Sequence, residues 1–367
     1  MLTAAQLCAD LVRIPTDEPH ATAPALAICA DALAAAGFRE RRRVETLPGI
    51  VSALFERDGD DPPLLIDGHL DTVPPGDPAA WEAEPLGGEI VRDAVWGRGS
   101  ADDKGPIAAA LLAVQGYAGS RRLLFSLGSD EELHMRGIQA LLADEAMRAA
   151  TQAIALEPTS LVPIHAHKGN ARIRVDVQGS PGHASRPGQG VNAIEEKIRL
   201  IATVRDWFAA NEGARRVEAF AEEPGTLVVT RELTPNEAFN VIPDRTSYWY
   251  NFRWLPGDAP LPAVLAQLGA AAERLGIRAR AEVEYWSPAL LTPAGAPLIR
   301  AITEITGNPP AWAPYGTHGG HIAGICPEVV VFGPGDLARA HRENERITLK
   351  ELNEGVEAIH AVLARLS

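Results

Sequence analysis

Leu64-Leu65-Ile66-Asp67-Gly68-His69-Leu70-Asp71-Thr72-Val73-Pro74-Pro75-Gly76 is the stretch from which the fold can be read. Its apolar start runs directly into a histidine and, two positions on, an aspartate. A short run with no polar alternation fits a strand buried on both faces. Further on, Gly97-Arg98-Gly99-Ser100-Ala101-Asp102-Asp103-Lys104-Gly105 is a glycine-rich turn that delivers another carboxylate. Three later runs repeat the apolar pattern: Leu123 to Leu127, Ala153 to Leu156 and Val329 to Phe332. Each of the four is followed, directly or after one loop, by a group able to hold a cation: His69, Glu132, Glu157 or His341. In open α/β sheets, ligands gather beyond the carboxyl ends of the strands. The pattern therefore predicts an α/β domain with a helix-flanked, mainly parallel or mixed sheet.

Helical spacing of apolar residues predicts helices over 3–13 and 24–36, with Leu7, Leu11, Leu26 and Leu33 inward. Residues 50–55 read as a strand, and Ile107 to Val114 as a helix of strong helix formers. After Lys168 the pattern changes. Residues 171–178 alternate strictly, with Ile173, Val175 and Val177 on one face and Arg172, Arg174 and Asp176 on the other. That is an antiparallel strand with one wet face. A helix is predicted over 192–209 with Ile194, Ile198, Ile201 and Phe208 inward. Strands follow at 226–231 and 246–254, the latter with Tyr248, Tyr250, Phe252 and Trp254 on one face, then a helix over 261–275 and a strand near 279–285. The order is β-α-β-β-α-β, a ferredoxin-like α+β unit. The expected organisation is a catalytic domain over 1–167 and 285–367, interrupted by an inserted domain over 168–284.

The 34 lysines and arginines against 48 acids leave a formal net charge of −14. This argues against nucleic-acid or anionic-membrane partners, which call for a concentrated positive footprint. Cys8, Cys29 and Cys326 are odd in number and far apart, so a disulfide framework is not expected. Met1-Leu2-Thr3-Ala4 has no basic region leading into an apolar run. No segment reaches the roughly 20 apolar residues of a membrane span. The expectation is a cytoplasmic protein.

His69, His341, Asp102, Glu132 and Glu157 are enough to hold two divalent ions, provided one carboxylate bridges. Asp71 can accept the other N–H of His69 and set its tautomer. Glu131, adjacent to Glu132 but free of ligand duty, has the character of a general base. Taken singly, each of these residues has an ordinary explanation as a surface pair, helix cap or acidic turn. What raises them above that is their shared place after buried strands. His20, His134, His165 and His360 have no such setting, and His167 and His321 are left open.

The motifs resemble the zinc metallopeptidase and amidohydrolase family that holds acetylornithine deacetylase, succinyl-diaminopimelate desuccinylase, aminoacylases and glutamate carboxypeptidases. The resemblance runs through residues 69–76, 97–105, Asp130-Glu131-Glu132 and Glu157-Pro158-Thr159. It continues through Gly182-His183-Ala184-Ser185, Asn240-Val241-Ile242-Pro243-Asp244, Asn251-Phe252-Arg253 and the segment from Gly333 to Glu345. It implies His69 and Glu157 on one zinc, His341 and Glu132 on the other, and Asp102 bridging, with cobalt or manganese possible in place of zinc. It further implies Glu131 as base and His183 reaching from the inserted lid of a partner subunit to the oxyanion, hence a homodimer. Asn240 and Arg253 would grip a substrate carboxylate. The implied reaction is removal of an N-acyl group from an acylated amino acid or related small molecule. The alternatives are a dipeptidase or exocarboxypeptidase of the same family, or a non-catalytic binding protein on its fold. In the acetylornithine deacetylase branch a Glu usually follows the Thr of the segment aligned with Tyr315 to His321; here Thr317 is followed by His318, and the resemblance implies that both meet substrate. An imidazole there disfavours a basic substrate side chain, unless residue 318 turns away from the pocket.

Overall fold

Strand Asp60–His69 lies inside a mixed sheet, nine-stranded among the described residues. The computed structural model describes residues 3–17, 21–257 and 260–367, so His20 and the first two residues lie outside it. Asp60–His69 pairs in parallel with Arg121–Gly128 on one side and Gln152–Ala155 on the other. Glu328–Val331 continues the parallel set beyond Gln152–Ala155. Ile50–Arg57 joins Arg121–Gly128 antiparallel and carries the hairpin partner Arg39–Leu47 at the sheet edge.

Burial on both faces follows from the residues themselves. Leu64 and Ile66 join one apolar cluster with Leu123, Phe125, Ile154 and Val330. Helices Ala4–Val12, Ala23–Ala35, Lys104–Gln115 and Leu349–Arg365 fill that side. Leu65, Leu124 and Val331 are equally buried but alternate to the opposite face. There the short helices Arg136–Leu141, Glu145–Ala149 and His318–Ile322 contact the sheet strands. The parallel strands end at one common edge, where His69 is in register with Gly128.

Among the elements the sequence reading did not anticipate, two features bear on the site. Arg39–Leu47 is rich in arginine, a composition that reads as solvated surface. It forms an edge strand because the charges find partners: Arg39 pairs with Glu56 at 2.9 Å, and Arg41 with Asp144 at 2.8 Å. Charged edges also discourage pairing with foreign strands. The second is a small antiparallel sheet of Glu89–Val91, Ala94–Trp96 and Arg346–Thr348. Strands this short carry too little periodicity to be seen in a sequence, yet this sheet brings the segment after His341 beside the Gly97 turn.

Contacts divide the chain into two compact units: residues 1–166, 290–312 and 317–367, and residues 167–289 with 313–316. The second unit has an antiparallel sheet ordered Thr226–Leu233, Arg245–Trp254, Gly169–Gln178, Arg278–Ser287. Tyr248, Tyr250, Phe252 and Trp254 line its buried face with Ile173, Val175 and Val177, under helices Ala193–Ala210 and Pro260–Leu275. The inward stripe of Ala193–Ala210 differs from the expected one. It is Ala193, Lys197, Leu200, Val204 and Phe208, whereas Ile198 is 58% exposed. Counting isoleucines alone missed the lysine, whose aliphatic stem is buried while its ammonium pairs with Glu232. No helix among the described residues is long and apolar enough to cross a membrane.

The corrected stripe is testable by urea unfolding. Leu200→Ala is expected to cost about 2–5 kcal/mol, and Ile198→Ala no more than about 0.5 kcal/mol. Equal losses at the two positions would contradict the assignment.

Candidate metal centre

Asp102 is shared by two groups of potential ligands. His69, Asp102 and Glu157 present ligand atoms that all lie within 4.8 Å of one another; so do Asp102, Glu132 and His341. His69 Nε2 is 3.0 Å from Asp102 Oδ1. His341 Nε2 is 3.3 Å from Asp102 Oδ2 and 2.9 Å from Glu132 Oε1. These residues come from five chain segments, each at the end of a sheet strand or in the loop that follows. His69 ends Asp60–His69, and Glu157 lies two residues past Gln152–Ala155. A Cβ at Gly333 would fall 2.6 Å from the Glu157 carbonyl, so only glycine lets the last parallel strand leave the sheet there.

The loop carrying Glu131 and Glu132 is shaped by Asp130. Its backbone is left-handed (φ 71°), its carbonyl accepts the His134 N–H, and its carboxylate takes a two-pronged contact from Arg136 at 2.6 and 3.2 Å. Glu132 then donates its backbone N–H to Asp71 Oδ2 at 3.0 Å. Asp71 also meets His69, but chiefly through its backbone. His69 Nδ1 is 3.0 Å from the Asp71 carbonyl oxygen and 3.8 Å from Oδ1. The tautomer is thus set by a main-chain acceptor, with the carboxylate standing behind it.

Burial and crowding set the electrostatics of the cluster. Burial, compounded by neighbouring carboxylates, raises Glu131 and Glu157 well above the usual range, and raises Glu132 as well. Burial opposes protonation of His69, yet Asp102, Asp71 and Glu131 outweigh it and hold the imidazolium form. His341 is raised to about 10 by Asp102 and Glu132. Asp102 and Asp71 are pulled below the carboxylate range by the histidines, against their burial. Crowded buried acids of this kind call for positive charge between them. The nitrogen and oxygen donor set suits divalent ions such as zinc, so the residues fit a pair of such ions with Asp102 common to both.

A clamp that sequence reading left as part of a motif holds Asp102 in place. Glu345 Oε1 accepts the backbone N–H groups of Ala101 at 2.9 Å and Asp102 at 3.1 Å. Its Oε2 meets Arg98 at 2.5 Å, with both side chains buried, and the Arg98 guanidinium lies over the Trp81 ring. Burial raises Glu345 to about 7 against the pull of Arg98. Its only sequence signal was a position four residues after His341.

Thr317 and His318, expected to meet substrate, are placed differently. Both are buried. Thr317 caps helix His318–Ile322 by accepting the Gly319 N–H at 3.0 Å. His318 turns inward, its Nδ1 2.8 Å from Asp67 Oδ2, and its ring packs edge-on to His69 at 6.3 Å. Gly128 makes room for it, since a Cβ there would lie 2.4 Å from the imidazole. His318 therefore braces the strand that carries His69, and the fully buried acid at position 67 explains the inward turn. His183, Asn240 and Arg253 belong to the second unit. His183 bridges to Val241, next to Asn240, and both His183 and Asn240 are exposed. Arg253 is half-buried with Nε on Asn251 Oδ1 at 3.0 Å, on the face opposite the aromatic row.

Removing the clamp should be costly. At pH 8, Glu345→Ala would leave Arg98 buried without its counter-charge, an expected loss of about 3–5 kcal/mol in unfolding free energy. Wild-type stability in a denaturant titration would show that the pair carries no such load.

The profile of Peptidase family M20/M25/M40 matches residues 65–365. The acetylornithine deacetylase of Myxococcus xanthus is 30% identical, over 82% of this chain and 78% of that protein. The succinyl-diaminopimelate desuccinylase of Rhodopseudomonas palustris is 31% identical, over 99% of this chain and 98% of that one. Among solved structures, the M20 family metallo-carboxypeptidase Sso-CP2 from Sulfolobus solfataricus superposes with a TM-score of 0.80 at 16% identity, covering 99% of each chain. The desuccinylase relative spans nearly the whole sequence, and the family match takes in every residue of the two ligand groups: this chain belongs to Peptidase family M20/M25/M40 and is a metal-dependent hydrolase.

Proposed function

We propose that the protein is a two-metal amidohydrolase that removes the acyl group from an N-acylated amino acid or a related small molecule. The observation that carries this reading is the pair of ligand groups sharing Asp102, with Glu131 buried beside them and outside both sets. Relatives named deacetylase and desuccinylase, 30 and 31% identical over 82 and 99% of this chain, support the choice of amide. Two divalent ions, zinc with cobalt or manganese as substitutes, would supply Lewis acidity and a nucleophilic water at neutral pH.

The rest is the work of the chain. His69 and Glu157 would hold one ion, His341 and Glu132 the other, and Asp102 both. Asp71 keeps His69 turned toward Asp102. Glu131, already raised by burial, is suited to take a proton from the attacking water and return it to the leaving amine. His183 is the proposed oxyanion donor, and Asn240 with Arg253 the proposed carboxylate grip. We read the second unit as a lid that also joins two copies into a homodimer. Its edge strand Thr226–Leu233 supports that reading, since it has one sheet neighbour and exposes Val228 and Leu233.

Glu131→Gln is expected to keep two bound ions by elemental analysis while kcat on N-acetyl or N-succinyl amino acids falls by about 10²–10⁴. Near-normal turnover would remove Glu131 as the base. Cleavage of dipeptides with no action on any acyl amino acid would move the assignment to the peptidases of the family.

Stripping the ions gives a second test. Without metal, Glu131, Glu132, Glu157, His69 and His341 bind protons more readily folded than unfolded. Stability of the metal-free protein should therefore fall as pH rises from the ordinary glutamate value of 4.5 through neutrality toward 10, where His341 titrates. Asp71 and Asp102 are shifted the other way, so their contribution stays constant above their ordinary value of 3.8. The gain in Tm on adding zinc should be larger at pH 8 than at pH 6. The reverse order would contradict the charge assignment.

A further inference from the structure

Beside the metal centre lies a recess of about 240 Å³, built wholly from the first unit. Leu47 and Ile50, at the tip of the edge hairpin, and Leu133 form its apolar lining. Glu132, from one ligand group, and Asp71, which stands behind His69, form part of its wall, so the recess adjoins the centre. Arg136 also lines it, but its guanidinium is held on both prongs by Asp130. Glu132 is engaged with His341, and Asp71 Oδ2 accepts the Glu132 N–H. Asp130, Glu132 and Arg136 are thus already paired inside the protein, Asp71 Oδ1 and Thr16 Oγ1, with no hydrogen-bond partner, are sealed from solvent, and the surface left open to a ligand is chiefly hydrocarbon. The volume exceeds the roughly 150 Å³ in which an apolar cavity takes benzene.

We propose that this recess is a specificity subsite for an uncharged apolar group, an aryl ring or a branched chain of four or five carbons, borne next to the scissile amide. The inference rests on the amidohydrolase reading of the centre. The apolar group can belong to the amino acid or to the acyl chain. The recess makes the same demand of either, because a charged end would lose its water there and gain no free partner. Leu47 is 39% exposed, and Ile50 and Leu133 are partly so, an exposure that an apolar substrate group would cover.

The experiment uses the zinc-loaded full-length protein, with N-acetylglycine as reference. One arm varies the side chain with N-acetyl-L-leucine, N-acetyl-L-phenylalanine and N-acetyl-L-ornithine. The other varies the acyl group with N-isovaleryl-, N-benzoyl- and N-succinylglycine. The expected result is a kcat/KM for the uncharged apolar members of one arm about 10- to 200-fold above the reference. The ratio should drop to within about threefold in the double variant Ile50→Ser, Leu133→Ser, and the arm that responds names the source of the group. A flat series, a ratio that survives the double variant, or a preference for ornithine or succinyl overturns the subsite. Should dipeptides be cleaved and no acyl amino acid touched, the deacylase reading fails; leucyl-glycine and glycyl-leucine against glycyl-glycine then put the same question to the recess. Should nothing be cleaved, calorimetry with L-leucine and isovalerate against glycine and acetate decides. Tighter binding of the apolar pair that is lost in the double variant supports the subsite, and equal binding in the two proteins overturns it.

Discussion

The centre depends on the fixed position of Asp102. Its two oxygens serve two different ligand groups, so a shift of an ångström would spoil both at once. A carboxylate on a free turn could not hold that position. Here the turn is fastened through its backbone by Glu345, which Arg98 neutralises from the other side. The three-stranded sheet explains why Glu345 is available. It pairs Arg346–Thr348 with Ala94–Trp96 and so brings the segment of His341 alongside the turn of Asp102. One small sheet thus positions a ligand and the clamp of another ligand together.

The same economy is bought with electrostatic stress. Placing Asp102, Glu131, Glu132 and Glu157 at one sheet edge buries carboxylates that raise one another's proton affinity. Two histidines offset only part of this. A fold with a weaker sheet could not hold such a cluster of buried carboxylates together. This one has parallel strands buried on both faces, with apolar side chains of Asp60–His69 and Arg121–Gly128 packed between helix layers. Local strain is tolerated for the same reason, as the left-handed backbones of Asp130 and His341 show.

How far the sequence could be read follows from the range of each signal. The buried strands were legible because four to five apolar residues between turns carry their own pattern, and the ligand positions because they follow those strands. The aromatic alternation from Tyr248 to Trp254 was legible for the same local reason. What failed was long-range or mixed in character. The inward stripe of Ala193–Ala210 includes Lys197, which no hydrophobic count includes. The strand Arg39–Leu47 is held by pairs with residues up to about a hundred positions away, such as Arg41 with Asp144. His318 was read against substrate because its position was known and its direction was not. The direction is set by Asp67, 251 residues away in the chain, and a buried acid inside an apolar strand was the signal that a partner had to exist.

That partner also bears on how reaction and selection are divided within the first unit. Asp67 and His318 pair beside His69, where the His318 ring packs edge-on to that candidate ligand. The recess lies on the Glu132 and Asp71 flank, so a candidate ion ligand and the residue behind His69 are part of its wall. Filling it with hydrocarbon would exclude water next to Glu132 and strengthen every charge interaction at the centre. An apolar group there would then do more than select the substrate. It would help dry the site in which the proposed base, Glu131, would move its proton, and a substrate with glycine or acetyl in its place would leave that flank wet.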